Sequence, residues 1–139
     1  MKTKTLITTR LMLNGQKRTS EKMVLKTLKI ISKTHNKKSL KDLIKVAILN
    51  SSPVTYLKQV KRKKRTTVEF PFLLNNNLRM SYGIKLIISN SKSKNLPAFK
   101  VFNSELVNSA KKLGSSVQKK QQFHKDSFLK KKFANYRWF

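Results

Sequence analysis

Apolar positions along this chain follow two rhythms, one helical and one of a strand. From Thr19 to Ser32, Met23, Val24, Leu28 and Ile31 fall on one helical face, with Thr27 between them. Leu40, Leu43, Ile44 and Ala47 form a second stripe, with Ser39 and Asp42 at capping-box spacing and Pro53 marking the end. Both segments read as core helices. Before them, Leu11 to Arg18 reads as a lead-in and turn punctuated by Gly15. Between Val54 and Leu74 the residues turn to β-formers, in two runs separated by Lys61-Arg62-Lys63-Lys64-Arg65, which predicts a hairpin arm over 57–74 with a charged tip.

The helical rhythm returns at Leu78 to Ser89, opened by Asn75-Asn76-Asn77. Met80, Ile84, Leu86, Ile87 and Ile88 nearly surround this segment, so it is expected to be the central buried helix, with Gly83 allowing close packing. Asn90 to Asn95 is a loop, and Pro97 suits the first turn of the next helix. The stripe of that helix is Phe99, Phe102, Leu106, Ala110 and Leu113, with Gly114 as its C-terminal stop. After the Ser115-Ser116 joint comes a basic helical run, then a last helix presenting Leu129, Phe133 and Tyr136 on one face. The fold class is mostly α: a single helical domain of five to six helices with a protruding β-hairpin arm.

Charge decides what such a domain is for. The 139 residues carry 33 Lys or Arg against 5 acids, a net charge of +28, which calls for a polyanionic partner. Apolar residues are 38%, so the core should be small and marginal until that partner neutralises the surface. The first ten residues are basic without a secretory apolar region and are expected to be a short tail that contacts RNA. There is no cysteine for a disulfide or a thiolate zinc site, and no apolar run approaches the ~20 residues of a membrane helix. Few Gly and Pro beside many Lys, Asn, Ile and Phe suggest an A/T-rich coding genome.

Catalytic chemistry finds no support. Glu21, Asp42, Glu69, Glu105 and Asp126 are dispersed singly, so no acid/base couple or metal-ligand cluster forms in the sequence. The glycines, Gly15, Gly83 and Gly114, make no phosphate loop. His35 reads as a surface loop residue, and His124, among lysines, as a ring that packs or hydrogen-bonds near RNA. Glu105 reads as structural, pairing with a cation or capping a helix. No enzyme activity, cofactor, metal, small-molecule substrate or membrane partner is expected.

RNA binding does find support, in two places. Five consecutive cations at the hairpin tip repel each other unless a polyanion lies between them. From Lys111 to Arg137 the cations have one acid among them, Asp126, and Phe123, Phe128, Phe133, Tyr136 and Trp138 recur inside the charge. Basic residues interleaved with rings suit phosphates and unpaired bases together.

The stretch from Phe102 to Trp138 resembles the small-subunit ribosomal protein seven family. Glu105, Leu106, Ala110, Gly114, Val117, Lys119, His124, Phe133, Ala134, Tyr136, Arg137 and Trp138 match its pattern without a gap; Asn108 and Asn135 stand for its usual Asp and His. The likeness extends to Leu11-Met12 with Gly15, to Glu21-Lys22-Met23, and to Thr67-Val68-Glu69-Phe70-Pro71 at the hairpin's return. At the tip, Lys and Arg replace the family's glycines. The resemblance implies contacts to small-subunit rRNA, in its 3′ major region, and a part in assembly of the head. With the charge pattern, it assigns those contacts to Lys17, Arg18, Lys22, Arg79, Lys85, Lys111, Lys119, Lys120, His124, Lys125, Lys130, Lys131, Tyr136, Arg137 and Trp138. It also implies a place by the tRNA exit site and near small-subunit protein eleven. Lys58, Lys61, Arg62, Lys63, Lys64 and Arg65 would then face mRNA and exit-site tRNA. A short N-terminal extension, an end just after Tyr-Arg-Trp and the A/T-type composition resemble a mitochondrially encoded member, with a plastid origin as the alternative.

Overall fold

A computed structural model describes residues 3–34, 40–62, 66–91 and 96–135, with the backbone alone described at Arg62 and Thr66. Helices α1 (Thr3–Leu11), α2 (Lys17–Thr34) and α3 (Leu40–Ser51) precede strands β1 (Thr55–Arg62) and β2 (Thr66–Leu73). Helices α4 (Asn76–Asn90), α5 (Ala98–Ala110) and α6 (Ser115–Leu129) follow, and a 3-10 turn spans Lys131–Phe133. The expected mostly helical domain with a β-hairpin is what forms.

The core is where the sequence stripes meet. Ile31, Ala47, Ile48, Ile84, Ile87, Phe102 and Leu106 are buried together. Thr27 sits among them because its hydroxyl donates to the Met23 carbonyl at 2.9 Å, satisfying the only polar group it brings. Gly83 is a close crossing of α4 over α3: a Cβ there would lie 2.6 Å from Ser52 Oγ and 3.0 Å from the Ile48 carbonyl.

Four expectations are corrected. The N-terminal tail is instead α1, and its Ile7 is 5% exposed and part of the core. Nine residues with one strongly buried apolar position carry too little periodicity to announce a helix. Helix α4 is not buried all round, since Leu78 and Met80 in its first half are exposed while Ile84, Leu86, Ile87 and Ile88 are buried. Gly114 does not stop α5. That helix ends at Ala110, the left-handed residue is Lys112 (φ 63°), and Leu113 stands in solvent at 74% exposure. Gly114 (φ −69°) is the N-cap of α6. Finally, α6 stops at Leu129, which is 76% exposed, rather than burying it on a last helix.

Ser39 and His35 lie outside the described residues; Asp42 pairs with Lys45 at 3.8 Å in the first turn of α3. At the turn into α2, Asn14 (φ 50°) and Gly15 (φ 73°) are both left-handed, residue types that accept this conformation.

In the hairpin, Tyr56 pairs Phe72, Leu57 pairs Pro71 and Gln59 pairs Glu69. Leu74 N donates to the Val54 carbonyl at 3.0 Å. Bonded and non-bonded pairs alternate along an antiparallel ladder, so Pro71 falls at a non-bonded pair and costs the hairpin no hydrogen bond.

Candidate nucleic-acid interface

Two devices position the basic surface. The first sets the direction of α6. Glu105, 8% exposed on α5, accepts the backbone N–H of Ser116 at 2.8 Å and the Ser116 hydroxyl as well. An anionic group at the N-terminus of α6 favours both the unsatisfied N–H groups and the helix dipole. The tight approach needs Gly114, where a Cβ would lie 2.6 Å from Ser109 Oγ and 2.9 Å from Glu105 Oε1. Of the two structural roles expected for Glu105, capping is the one found.

The second device fastens the hairpin. Tyr56 packs on Tyr82 of α4 (centroids 4.7 Å apart) and edge-on to Phe123 of α6 (5.7 Å), while Phe70 meets Phe133 edge-on at 6.0 Å. Lys130 forms an ion pair with Glu69, which also accepts from Gln59 Nε2 at 2.9 Å. At the hairpin base, Val54 N donates to His124 Nε2 at 3.0 Å. Phe123 and Phe133, expected as stacking platforms, thus join the arm to the body. Of the described rings in this run, Phe128 is the one left outside, 67% exposed, with Lys131 Nζ 4.9 Å from its centroid. It lines an open cleft of about 480 Å³ together with Val54, Phe72, Leu73 and His124.

Around these devices stand the cations. Lys85 on α4, Lys111 past the end of α5, Lys119 and Lys125 on α6, Lys131 on the terminal turn, and Lys58 and Lys61 on β1 are all exposed. Lys17, Arg18 and Lys22 are exposed on α2, where Lys17 lies 3.8 Å from Glu21; this group belongs to a helix packed on α1 and α5. The structure draws Arg79, Lys120 and His124 together. Lys120 Nζ donates to the Asn50 carbonyl at 2.9 Å, and Asn50 is itself held by its Nδ2 donating to the Ser109 and Ala110 carbonyls. Partial burial, then the charges of Arg79 and Lys112, lower the Lys120 ammonium below its ordinary value. Partial burial, then Lys120 and Arg79, likewise lower His124. Arg62, Lys63, Lys64 and Arg65 at the tip, and Tyr136, Arg137 and Trp138, have side chains outside the described residues.

Sequence reading missed Lys112, Asn50, Tyr56 and Tyr82. The two tyrosines and Asn50 act across the fold, and no local spacing marks them. Lys112 sits beside Lys111 and could have been found by its place in the same basic run.

The sequence model of the family described as Ribosomal protein S7p/S5e matches residues 2–128. The chain belongs to this family. It is a family of ribosomal proteins, not of enzymes. Among S7p/S5e relatives, small ribosomal subunit protein uS7 of Blochmanniella pennsylvanica is 30% identical over 129 residues, covering 92% of this chain and 81% of that protein. The uS7 protein of Desulfosudis oleivorans is 29% identical over 130 residues (93% and 82%). Protein uS7c of Paulinella chromatophora is 24% identical over 135 residues (96% and 85%). Among the described residues of this S7p/S5e chain no three His, Asp or Glu cluster to hold a metal, and no helix is long and apolar enough to cross a membrane.

Proposed function

We propose that this chain is a structural constituent of the small ribosomal subunit that binds the 3′ major, head region of its rRNA and supports head assembly. The observation that carries the reading is the S7p/S5e match across residues 2–128, joined to a surface of α4, α6 and β1 set with exposed cations. In this reading Lys85, Lys111, Lys119, Lys120, His124, Lys125 and Lys131 serve rRNA, with Arg79, Tyr136, Arg137 and Trp138, and Lys17, Arg18 and Lys22 serve it from α2. Lys130 joins them through its stem, since its head group is paired with Glu69. The hairpin, with Lys58, Lys61 and the cations of its tip, reaches toward mRNA and exit-site tRNA, near small-subunit protein eleven. A hairpin anchored at its base by rings and one imidazole bond is suited to such a reach, because none of its described residues belongs to the buried core cluster.

The composition, rich in Lys, Asn, Ile and Phe and poor in Gly, favours a mitochondrial ribosome, with a plastid ribosome as the alternative. Sedimentation of an organelle lysate through a gradient containing high salt tests both statements. The protein should travel with the small subunit, and the identity of that subunit's rRNA names the compartment. Release into the soluble fraction, or recovery on DNA, would favour a non-ribosomal nucleic-acid binder instead.

A further inference from the structure

Where α4, α6 and the hairpin base meet, the described residues bring cations together, while Asp126, the acid on α6, lines a separate cleft with Glu69 and Lys130. Arg79 projects from α4, with Lys120 and His124 one turn apart on α6. Glu105 is occupied at Ser116 and Glu69 at Lys130, so neither compensates this charge. The Arg79 guanidinium makes one long hydrogen bond, Nη1 to Asn76 Oδ1 at 3.5 Å, and its buried Nε has no partner among the described residues. Lys120 is not a free-swinging lysine, since its ammonium is tied to the Asn50 carbonyl at 2.9 Å. Lys120 feels the charge of Arg79, and His124 the charges of both, an arrangement that one oxyanion would relieve.

His124 adds a second property. Its Nε2 accepts the Val54 N–H at 3.0 Å, so Nε2 carries no proton in this state. An imidazolium donates from both nitrogens and cannot keep that bond. The cations that face or flank this ring are Lys120 and neighbouring Lys125 on α6, Arg79 on α4 and Lys131 on the terminal turn; Asp126, two residues on, lines the cleft of Glu69 and Lys130 instead, and the strand residues lining the cleft of His124, Thr55, Pro71, Phe72 and Leu73, do not titrate. These cations oppose protonation. An anion seated among them would reverse that sign.

We infer that Arg79, Lys120 and His124 form a seat for one phosphate group of RNA, and that filling it makes His124 exchange the hairpin's Val54 N–H for the phosphate. One proton is taken up from solvent as the imidazole becomes imidazolium, and no covalent bond changes. The seat deepens the rRNA-binding reading and rests on it for the identity of the ligand. Its consequence is coupling: occupation of the helical face by RNA backbone loosens one of the hairpin's attachments.

The test is nuclear magnetic resonance on the full-length chain, whose two histidines give separable ring signals. Sulfate, which does not titrate in this range, is added at constant ionic strength, and a short single-stranded RNA is added separately. The His124 midpoint should rise with either ligand, by about one pH unit if the anion binds tenfold tighter to the imidazolium form. The Val54 amide should exchange faster with deuterium in the same samples, and Arg79→Gln should abolish the sulfate effect. A His124 midpoint and Val54 amide that stay fixed while sulfate and RNA move other signals would overturn the seat. A sulfate effect without RNA binding would keep the seat and defeat the ribosomal reading. The unsubstituted chain decides both points, whatever the variant does to folding.

Discussion

The carboxylate of Glu105 caps a helix to which it does not belong, accepting the Ser116 N–H at 2.8 Å from eleven residues away. Both residues are buried, at 8% and 0% exposure, so water cannot substitute for either partner. Glu105→Ala should therefore lower stability by about 1–3 kcal/mol, the cost of burying polar groups without a partner. Glu105→Gln retains an acceptor and should lose less. Urea midpoints at constant salt compare the two, and equal midpoints for Ala and the unsubstituted chain would refute the capping role.

The crossing at Gly83 predicts a pair effect. Gly83→Ala places a methyl 2.6 Å from Ser52 Oγ and should destabilise by about 1–3 kcal/mol, as overpacking does. Ser52→Ala removes the nearest atom, though not the Ile48 carbonyl at 3.0 Å. The double variant should recover part of the loss, read as a non-additive thermal midpoint. Strict additivity would mean that Ser52 is not what crowds this position.

The hairpin's attachment can be loosened without touching the core. Tyr56→Ala removes the contacts to Tyr82 and Phe123, each worth about 0.5–1.5 kcal/mol. Limited proteolysis should then cut within β1 or β2 several-fold faster while helical circular dichroism stays unchanged. A parallel loss of helix would show the arm and the body to be one cooperative unit.

Acid should weaken the free chain through His124. Its folded-state value is lowered by burial and by Lys120 and Arg79, below an ordinary value of about 6.5. A depressed value contributes stability that is present above about pH 6.5 and lost as pH falls through the folded value. His124→Gln should flatten this limb of a thermal midpoint against pH. An identical slope in the variant would remove His124 from the acid response.

Salt should act on RNA binding more than on folding. Each phosphate neutralised contributes about 0.7–0.9 log unit of affinity per log unit of salt, and a tip changed from Lys61-Arg62-Lys63-Lys64-Arg65 to Ser should lower that slope. The tip variant should still fold and enter the small subunit. Gradient sedimentation and filter binding read the two effects apart, and exclusion of the variant from the subunit would contradict the division between arm and body.

Much of this molecule was legible where chemistry is local. Helices α2 to α5 show in their apolar stripes, Asn75 at the start of α4 shows in its residue type, and the hairpin shows in its switch to β-formers. The rest depends on distance along the chain. Glu105 looked structural in sequence, but its partner Ser116 emerges only once α5 and α6 pack. Phe123 and Phe133 carried the right chemistry for bases, yet Tyr56 and Phe70 reach them first. Gly114 has the residue type of a helix stop, whereas the fold uses its missing Cβ to let two helices close. The basic letters alone did not separate Lys120, held by Asn50, from its solvated neighbours.

Pro71 has a consequence beyond the ladder it leaves intact. A two-stranded arm has two open edges, and a chain made before its ribosome is ready must carry both through a crowded compartment. At a non-bonded pair, the backbone nitrogen of Pro71 faces outward, so the rim of β2 offers no donor there to an arriving strand. Lys58 and Lys61 on β1 set repulsion along the other rim. The arm can thus wait, extended and unpaired, without recruiting a second copy of itself into a growing sheet.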